Sequence, residues 1–280
     1  MMKKKLLIFG LYLMSFQLFA GGGWVYGKHK GYVKIAQNMI RSPYFFDTDG
    51  KIIDIPTISL YTTSLYAEYG LIDHLNVIAY VPFFVRATQN QEVFRQSGLV
   101  NEGYELNSFG DTNIGMKYGF NQQGAVVWAA SVIFGLPLGQ SEPEGSLQTG
   151  DGEFNQLIKL EASHSFHPKP FYTTLFIGFN NRTRGFSEEL RFGGEVGFTA
   201  SKFIAILKIN SVNSLNNGDV ANSAEGATLN GNNVEYFAIT PELAYSFSDK
   251  IGISASPGFA ASGRNQLASP NFSIGLFANL

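Results

Sequence analysis

The residue types that usually carry catalysis or metal binding are sparse and scattered in this chain. It has no Cys and four His, at positions 29, 74, 164 and 167. His164 and His167 are three residues apart, which places them on opposite faces of a strand, so a shared metal ion is not expected. The segment Asp47-Thr48-Asp49-Gly50 has only part of the pattern of a calcium-binding loop, and a polar hairpin tip explains it better. We therefore predict no metal and no cofactor.

Short sequence motifs of common enzymes are also missing. The nucleophile elbow G-x-S-x-G, the zinc motif H-E-x-x-H, the Walker A motif and the dinucleotide motif G-x-G-x-x-G do not occur in the 280 residues. The lack of Cys excludes a disulfide scaffold and a Cys-based zinc site. A net charge of -2 without a basic stretch in the mature chain disfavours nucleic-acid binding. The prediction is a protein that is not an enzyme and has no nucleic-acid partner.

Charged residues follow a pattern of their own, since many of them alternate with apolar residues in a period of two. In residues 111–120, Thr, Ile, Met, Tyr and Phe take the even positions, and Asp, Asn, Gly and Lys take the odd ones. Successive side chains of a β-strand point to opposite faces, so such a segment has one apolar and one polar face. The candidate functional residues on the polar face are Glu68, Asp111, Asn113, Lys117, Glu153, Lys159, Glu161, Arg191, Glu195, Lys208 and Glu242.

The alternation recurs along the chain and predicts twelve strands. Most of them exceed the roughly 5–6 residues of soluble strands and match the roughly 9–11 residues that cross a bilayer at a tilt. The longest uncharged stretch, residues 118–141, is interrupted by Gly135 and Pro137, so no spanning helix is predicted. The predicted strands are residues 31–41, 57–70, 75–86, 110–120, 125–138, 153–166, 171–182, 189–200, 203–212, 234–247, 251–262 and 270–280.

The connections alternate between short turns and mostly longer polar loops, and Tyr and Phe residues of the apolar face gather at both strand ends. Both features are typical of outer-membrane barrels. In lipid, only helices or closed sheets satisfy every backbone polar group. We therefore predict an all-β fold, a closed antiparallel transmembrane barrel of about 12 strands with short periplasmic turns, and a secreted β-sandwich is the alternative. The predicted loops are residues 42–56, 87–109, 139–152, 183–188, 213–233 and 263–269.

The first twenty residues have the pattern of a secretory signal peptide. Lys3, Lys4 and Lys5 precede an apolar stretch at residues 6–19, and Ala20 is followed by three glycines. We predict that residues 1–20 are a signal peptide for the Sec pathway and that residues 21–280 form one barrel domain in the cell outer membrane of a Gram-negative cell. About ten residues precede the first strand, so no plug domain is expected.

Several segments resemble a family of barrel proteins named for the meta-pathway of phenol degradation (MetA-like). They are Gly110-Asp111-Thr112-Asn113-Ile114-Gly115-Met116-Lys117-Tyr118, Tyr69-Gly70-Leu71-Ile72-Asp73-His74-Leu75 with Val81-Pro82-Phe83, and Thr149-Gly150-Asp151-Gly152. Gly23-Trp24 and Gly31-Tyr32-Val33-Lys34 are similar to the mature start of related Bacteroidetes-type barrels. The resemblance implies an outer-membrane transporter, and the family's name alone implies aromatic or small hydrophobic solutes.

The function expected from this pattern is a passive, porin-like channel or transporter for small solutes. Its expected partners are outer-membrane lipid, a small-molecule solute and, during biogenesis, the barrel-assembly machinery. A structural or adhesive barrel acting through the loops at 87–109 and 213–233 is one alternative, and an outer-membrane lipid hydrolase is another. The inward charges have two interpretations: they line a pore, or they pair with one another and rigidify the lumen. The solute, the openness of the lumen and the oligomeric state stay open.

Overall fold

The computed structural model describes residues 21–93, 98–219 and 229–280. The predicted signal peptide at residues 1–20 and parts of two predicted loops, residues 94–97 and 220–228, lie outside the described residues. In the described part, the strands are β1 (Gly31–Phe46), β2 (Ile52–Ile72), β3 (Leu75–Gln89), β4 (Glu92–Val93), β5 (Val100–Asn101), β6 (Tyr104–Ser108), β7 (Thr112–Asn121), β8 (Val126–Leu136), β9 (Asn155–Ser165), β10 (Phe171–Arg182), β11 (Glu189–Ala200), β12 (Phe203–Ser214), β13 (Glu235–Ser246), β14 (Ile251–Arg264), β15 (Gln266–Leu267) and β16 (Asn271–Asn279).

Twelve long strands form one closed antiparallel barrel. Each long strand pairs with the next long strand in the chain, and the ring closes at β1, which pairs with β2 on one side and with β16 on the other. Of the four short strands, β6 continues the pairing of β3, β15 pairs with β1, and β4 and β5 pair with each other. The predicted all-β fold with about twelve strands is therefore confirmed.

Strand bounds follow the sequence pattern, with two departures. At β10 and β11 the predicted and observed bounds coincide. The predicted loop at residues 42–56 was wrong in extent, because β1 continues to Phe46 and β2 begins at Ile52. The register shifts around Pro43, which has no N–H to donate, and the pairing then resumes. The predicted loop at residues 87–109 was also too long, since β3 extends to Gln89 and β4, β5 and β6 lie within it.

The two faces of the barrel wall differ in polarity. On β10, Leu175 and Ile177 are 64% and 58% exposed, whereas Thr174 is 4% exposed. A closed sheet with an exposed apolar face is the arrangement that lipid covers in an outer-membrane barrel. The exposed aromatic residues near the short turns are Tyr118, Phe120, Phe166, Phe171, Phe198, Phe203 and Phe247, and those toward the other end are Tyr61, Phe83, Phe134, Phe154, Phe179, Phe192 and Phe272.

Connections at the two ends of the barrel differ in length. The turns between β2 and β3 and between β11 and β12 have two residues each, whereas residues 137–154 connect β8 to β9. The described part of the chain contains no helix that is long and apolar enough to cross a membrane. The short-turn end and the long-loop end are called here the turn end and the loop end.

Candidate functional site: the barrel interior

The barrel encloses a chamber of about 380 Å³. Its wall is formed by β1, β2, β3, β10, β11, β12, β13 and β16, which lie on different sides of the ring, so the chamber is in the lumen. Its volume is at the lower end of the roughly 300–1,000 Å³ of small-molecule sites. The aromatic and aliphatic side chains of the wall are Tyr26, Tyr32, Tyr66, Tyr80, Tyr172, Phe277, Ala36, Ala244, Ile204 and Ile206.

Two lysines and three glutamates carry charge beside this aromatic wall, and the third glutamate, Glu68, has a separate ion-pair partner. The Nζ atoms of Lys34 and Lys208 lie 2.8 Å and 2.6 Å from the two carboxylate oxygens of Glu242. Glu195 also lines the chamber and accepts a hydrogen bond of 3.0 Å from the hydroxyl of Tyr172. Among the described residues, Glu195 forms no ion pair. The charges of Lys34, Lys208, Glu195 and Glu242 sum to zero, but of these two carboxylates only Glu242 is neutralised by direct contact.

A second charged pair joins the chamber-lining Glu68 to Lys117 and is almost fully buried. The Nζ atom of Lys117 lies 3.1 Å from Glu68, and the two side chains are 1% and 2% exposed. The amide of Asn76 donates to the same Glu68 oxygen at 2.7 Å, and the hydroxyl of Tyr66 donates to the other oxygen at 3.2 Å. Because both charges are desolvated and paired, this site stabilises the interior only while both partners are present.

Two further candidate residues form a pair within one strand. On β9, the Nζ atom of Lys159 lies 2.9 Å from Glu161, which also accepts a hydrogen bond from Ser131 at 3.0 Å. Lys159 lies over the ring of Phe176 at 5.3 Å. Asn113 on β7 is half-buried.

Arg182 joins three carboxylates at the loop end of the interior. Its guanidinium nitrogens lie 2.7 Å from Asp151, 2.8 Å from Glu153 and 3.0 Å from Glu189. The Arg182 side chain is only 6% exposed, and its guanidinium also stacks over the ring of Phe186 at 4.4 Å. This arrangement uses the planar fork of arginine donors, which a lysine could not reproduce.

Asp111 connects the same cluster to β7. Its carboxylate accepts backbone hydrogen bonds from Gly139 at 2.9 Å and from Asp151 at 2.8 Å. Burial raises the pKa of Asp151 to about 6, the Arg182 charge opposes the rise, and the Asp111 charge adds to it. Arg191 pairs with Glu189 at 2.5 Å on the other side of Arg182. The loop between β8 and β9 is thus fastened to the barrel wall by ionisable groups.

All eleven residues predicted for the polar face are buried or half-buried in the structure. The structure does not gather them into one site but distributes them over the length of the interior. Those at the loop end are Asp111, Glu153 and Arg191, those lining the chamber are Glu68, Glu195, Lys208 and Glu242, and the others are Asn113, Lys117, Lys159 and Glu161.

The sequence pattern did not single out Lys34, Glu189 or the tyrosines of the chamber. Tyr32 and Lys34 have the same parity on β1, and this period-two signal could have placed both on the inner face. The tyrosines were missed because an aromatic residue in an alternating strand was taken as part of the lipid-facing side. Tyrosine also suits a polar interior, since its hydroxyl can bond while its ring packs.

Residues 21–30, named here the N-terminal strap, lie inside the turn end of the barrel. At one end of the strap, the backbone N–H of Gly23 donates to the hydroxyl of Ser163 on β9 at 2.8 Å. At the other end, His29 donates its backbone N–H to Gly70 of β2 at 2.8 Å. Because Gly21 and Tyr26 line the chamber, the strap forms its floor. The openness of the lumen, which the sequence left open, is thus reduced at this end by a short segment that crosses the opening.

The connection between β8 and β9 folds back against the barrel wall at the loop end. Leu147, from the connection between β8 and β9, is fully buried in a cluster with Ile58, Ala87, Leu106 and Leu229. Three of these residues belong to the barrel strands β2, β3 and β6, so the loop turns toward the wall. The chamber therefore lies between a folded loop on one side and the strap on the other.

The histidines take part in local contacts. His164 Nδ1 lies 2.6 Å from the carbonyl oxygen of Ala125, and its ring packs edge-on against Phe166 at 4.6 Å. These contacts do not include the serine that a lipid hydrolase would need. Within the described residues, no three His, Cys, Asp or Glu side chains form a group that could hold a metal ion.

Comparisons with known proteins show the fold. No protein-family model and no curated protein matches the chain. The chain is similar to the COG4313 outer membrane channel from Pseudomonas putida F1, with a TM-score of 0.65 and 10% identity over 91% of this chain and 97% of that chain. It is also similar to the KdgM porin in complex with disordered oligogalacturonate, with a TM-score of 0.50 and 6% identity over 89% of this chain and 99% of that one. The chain has the fold of an outer-membrane β-barrel, and membership of the phenol-degradation family stays a prediction.

Proposed function

We propose that the protein is a passive outer-membrane channel for small solutes and that the charged and aromatic side chains of the inner face line the path. The observation that carries this proposal is the chamber inside the closed barrel, which has a wall of tyrosines and paired charges. The two similar structures are named as an outer membrane channel and a porin, which supports the same class of function. The ion pairs limit the motion of the charged side chains, and the space of the chamber lies between these side chains.

The chamber favours small solutes that are uncharged, aromatic compounds included. Tyrosine rings pack against an apolar ring, and a chamber of this size holds about one ring with its substituents. Glu195 can accept a further hydrogen bond, because the described residues offer its carboxylate only the Tyr172 hydroxyl. Counting Lys117, which pairs with Glu68, three lysines balance the three glutamates of the chamber wall, so neither anions nor cations are strongly preferred.

Conductance of the purified, folded protein in planar bilayers tests the proposal. We expect small discrete current steps and a reversal potential close to zero in a salt gradient. Lys208→Met removes one cation from the chamber and should shift the reversal potential toward cation selectivity. Lys202→Met, in the short turn between β11 and β12, is the matched control and should leave it unchanged. A folded barrel that gives neither current steps nor solute-driven swelling of liposomes would contradict a channel function.

A further inference from the structure

We propose that the N-terminal strap is the narrowest gate of the channel on the turn side and sets the size of the solutes that pass. This inference rests on the proposed channel function and adds a residue-level determinant of its selectivity. The strap crosses from β9 to β2, strands that lie four positions apart in the ring of twelve. A solute leaving the chamber at this end must therefore pass beside the strap or displace it.

The two ends of the strap are held differently. Near β1, the backbone of Gly70 forms two hydrogen bonds with the strap, each of 2.8 Å. The N–H of His29 donates to the carbonyl of Gly70, and the N–H of Gly70 donates to the carbonyl of Lys30. A side chain at Gly70 could not be accommodated, because an added Cβ would lie 2.2 Å from the carbonyl oxygen of Gly27. This end continues directly into β1 and serves as a hinge.

The far end is a latch made of a few side-chain hydrogen bonds. Gln122, in the turn between β7 and β8, donates to the carbonyl of Gly23 at 2.7 Å and accepts from the N–H of Val25 at 3.1 Å. Ser163 accepts from the N–H of Gly23, and Trp24 packs edge-on against Tyr172 at 5.8 Å. Gln122 also donates to the carbonyl of Trp128 on β8 at 3.0 Å, and Ser163 shares a hydrogen bond of 2.8 Å with Thr174 on β10. All of these bonds use side-chain atoms, so the substitutions leave the backbone partners of the strands in place.

Between hinge and latch, the strap presents an uncharged surface to the chamber. Tyr26 lines the chamber, and burial together with the nearby Glu68 charge raises its pKa far above the ordinary value. The hydroxyl of Tyr26 is therefore neutral at every physiological pH. The gate acts by size and not by charge, so its removal should change the size limit more than the ion selectivity.

The first test weakens the latch with Gln122→Ala combined with Ser163→Ala. We expect a several-fold rise in single-channel conductance and faster liposome swelling with a monosaccharide, with little change of reversal potential. The control variant combines Gln123→Ala with Ser165→Ala. Gln123 is one position from Gln122, Ser165 is two positions from Ser163, and both side chains are exposed. This control should behave like the parent protein, and heat-modifiable gel mobility verifies that each variant has folded.

The second test fixes the latch. An added Cβ at Gly119 would lie 2.7 Å from Cγ2 of Val25 and 2.6 Å from Nε2 of Gln122, whose flexible side chain must move aside. Val25→Cys with Gly119→Cys therefore brings two thiols close together in a chain that has no other Cys. We expect the oxidised pair to conduct less than the parent protein and a reductant to reverse the loss.

The outcomes separate this inference from the channel function. Conductance in the parent protein that neither the weakened nor the oxidised latch alters would overturn the gate and keep the channel. Silence of the parent protein and of the folded weakened-latch variant would overturn both. Conductance that increases when the latch is weakened and falls when it is oxidised supports both.

Discussion

Among the described residues, Arg182 forms ion pairs with the largest number of carboxylates. Three carboxylates meet one guanidinium with 6% of its side chain exposed, and the carboxylates of Glu153 and Glu189 are also buried. Removing one partner of a buried ion pair leaves uncompensated charge, which costs about 3–5 kcal/mol. Exposed pairs contribute far less, because water screens both charges.

Arg182→Met should therefore lower the free energy of unfolding by about 3–5 kcal/mol, because three carboxylates lose their common partner. Arg86→Met is the matched control, since the Arg86 and Glu105 side chains of that pair are about half exposed. Urea titration of both variants in lipid vesicles measures the difference. Equal losses in the two variants would show that the Arg182 cluster is not an important electrostatic centre.

At the residue scale, the sequence could predict the polarity of a position but not its partner. The positions of Glu68 and Lys117 in the alternating pattern placed both side chains on the polar face. The structure shows that they form an ion pair between β2 and β7, across the intervening strand β3. Glu242 was also placed on this face, yet its partner Lys34 lies 208 residues away and is brought close only by barrel closure. No local pattern contains that information.

At the element scale, the connection between β8 and β9 should respond to pH. Burial raises the pKa of Asp151 to about 6 from an ordinary value of 3.8, so the folded protein holds this proton more tightly than the unfolded chain. Between pH 4 and pH 6 the contribution of Asp151 to stability therefore falls as the pH rises. Asp151→Asn removes this contribution.

The expected result is a stability difference, parent minus Asp151→Asn, that decreases from about pH 4 to about pH 6. Thermal unfolding of both proteins in detergent across this range measures it. Glu144→Gln, at an exposed residue of the same connection, is the matched control. A pH-independent difference for Asp151→Asn would refute the shifted ionisation.

Elements were predictable from the sequence where one physical signal dominated. Apolar and polar residues alternate along residues 171–182 and 189–200, and the predicted bounds of both strands are the same as the observed ones. The first hairpin was not, because Pro43 and the polar tip resemble a loop although the pairing resumes beyond the bulge. The N-terminal strap has no periodicity, and its position depends on distant residues such as Ser163 and Gln122.

At the scale of the whole molecule, two surfaces of opposite character share one sheet. The outer surface exposes large apolar side chains, whereas the inner surface buries charges, tyrosines and the strap. In a water-soluble protein this distribution would be costly, because exposed apolar area is unfavourable by roughly 25 cal/mol per Å². In a bilayer the same distribution is stable.

The two tryptophans report on the two surfaces. Trp128 has the same parity on β8 as the exposed Val126 and Val132, and therefore faces outward. Trp24 belongs to the strap and contacts Tyr172 inside the barrel. The chain has no other tryptophan, so Trp24→Phe and Trp128→Phe each leave a single fluorophore.

Fluorescence quenching by lipids brominated near the headgroup end of the acyl chain is the most direct measurement. In reconstituted, folded protein, we expect strong quenching of Trp128 in the Trp24→Phe variant and almost none of Trp24 in the Trp128→Phe variant. A Trp128 signal that brominated lipid leaves unchanged, or equal quenching of both tryptophans, would contradict a barrel with lipid outside and a polar, strap-containing lumen inside.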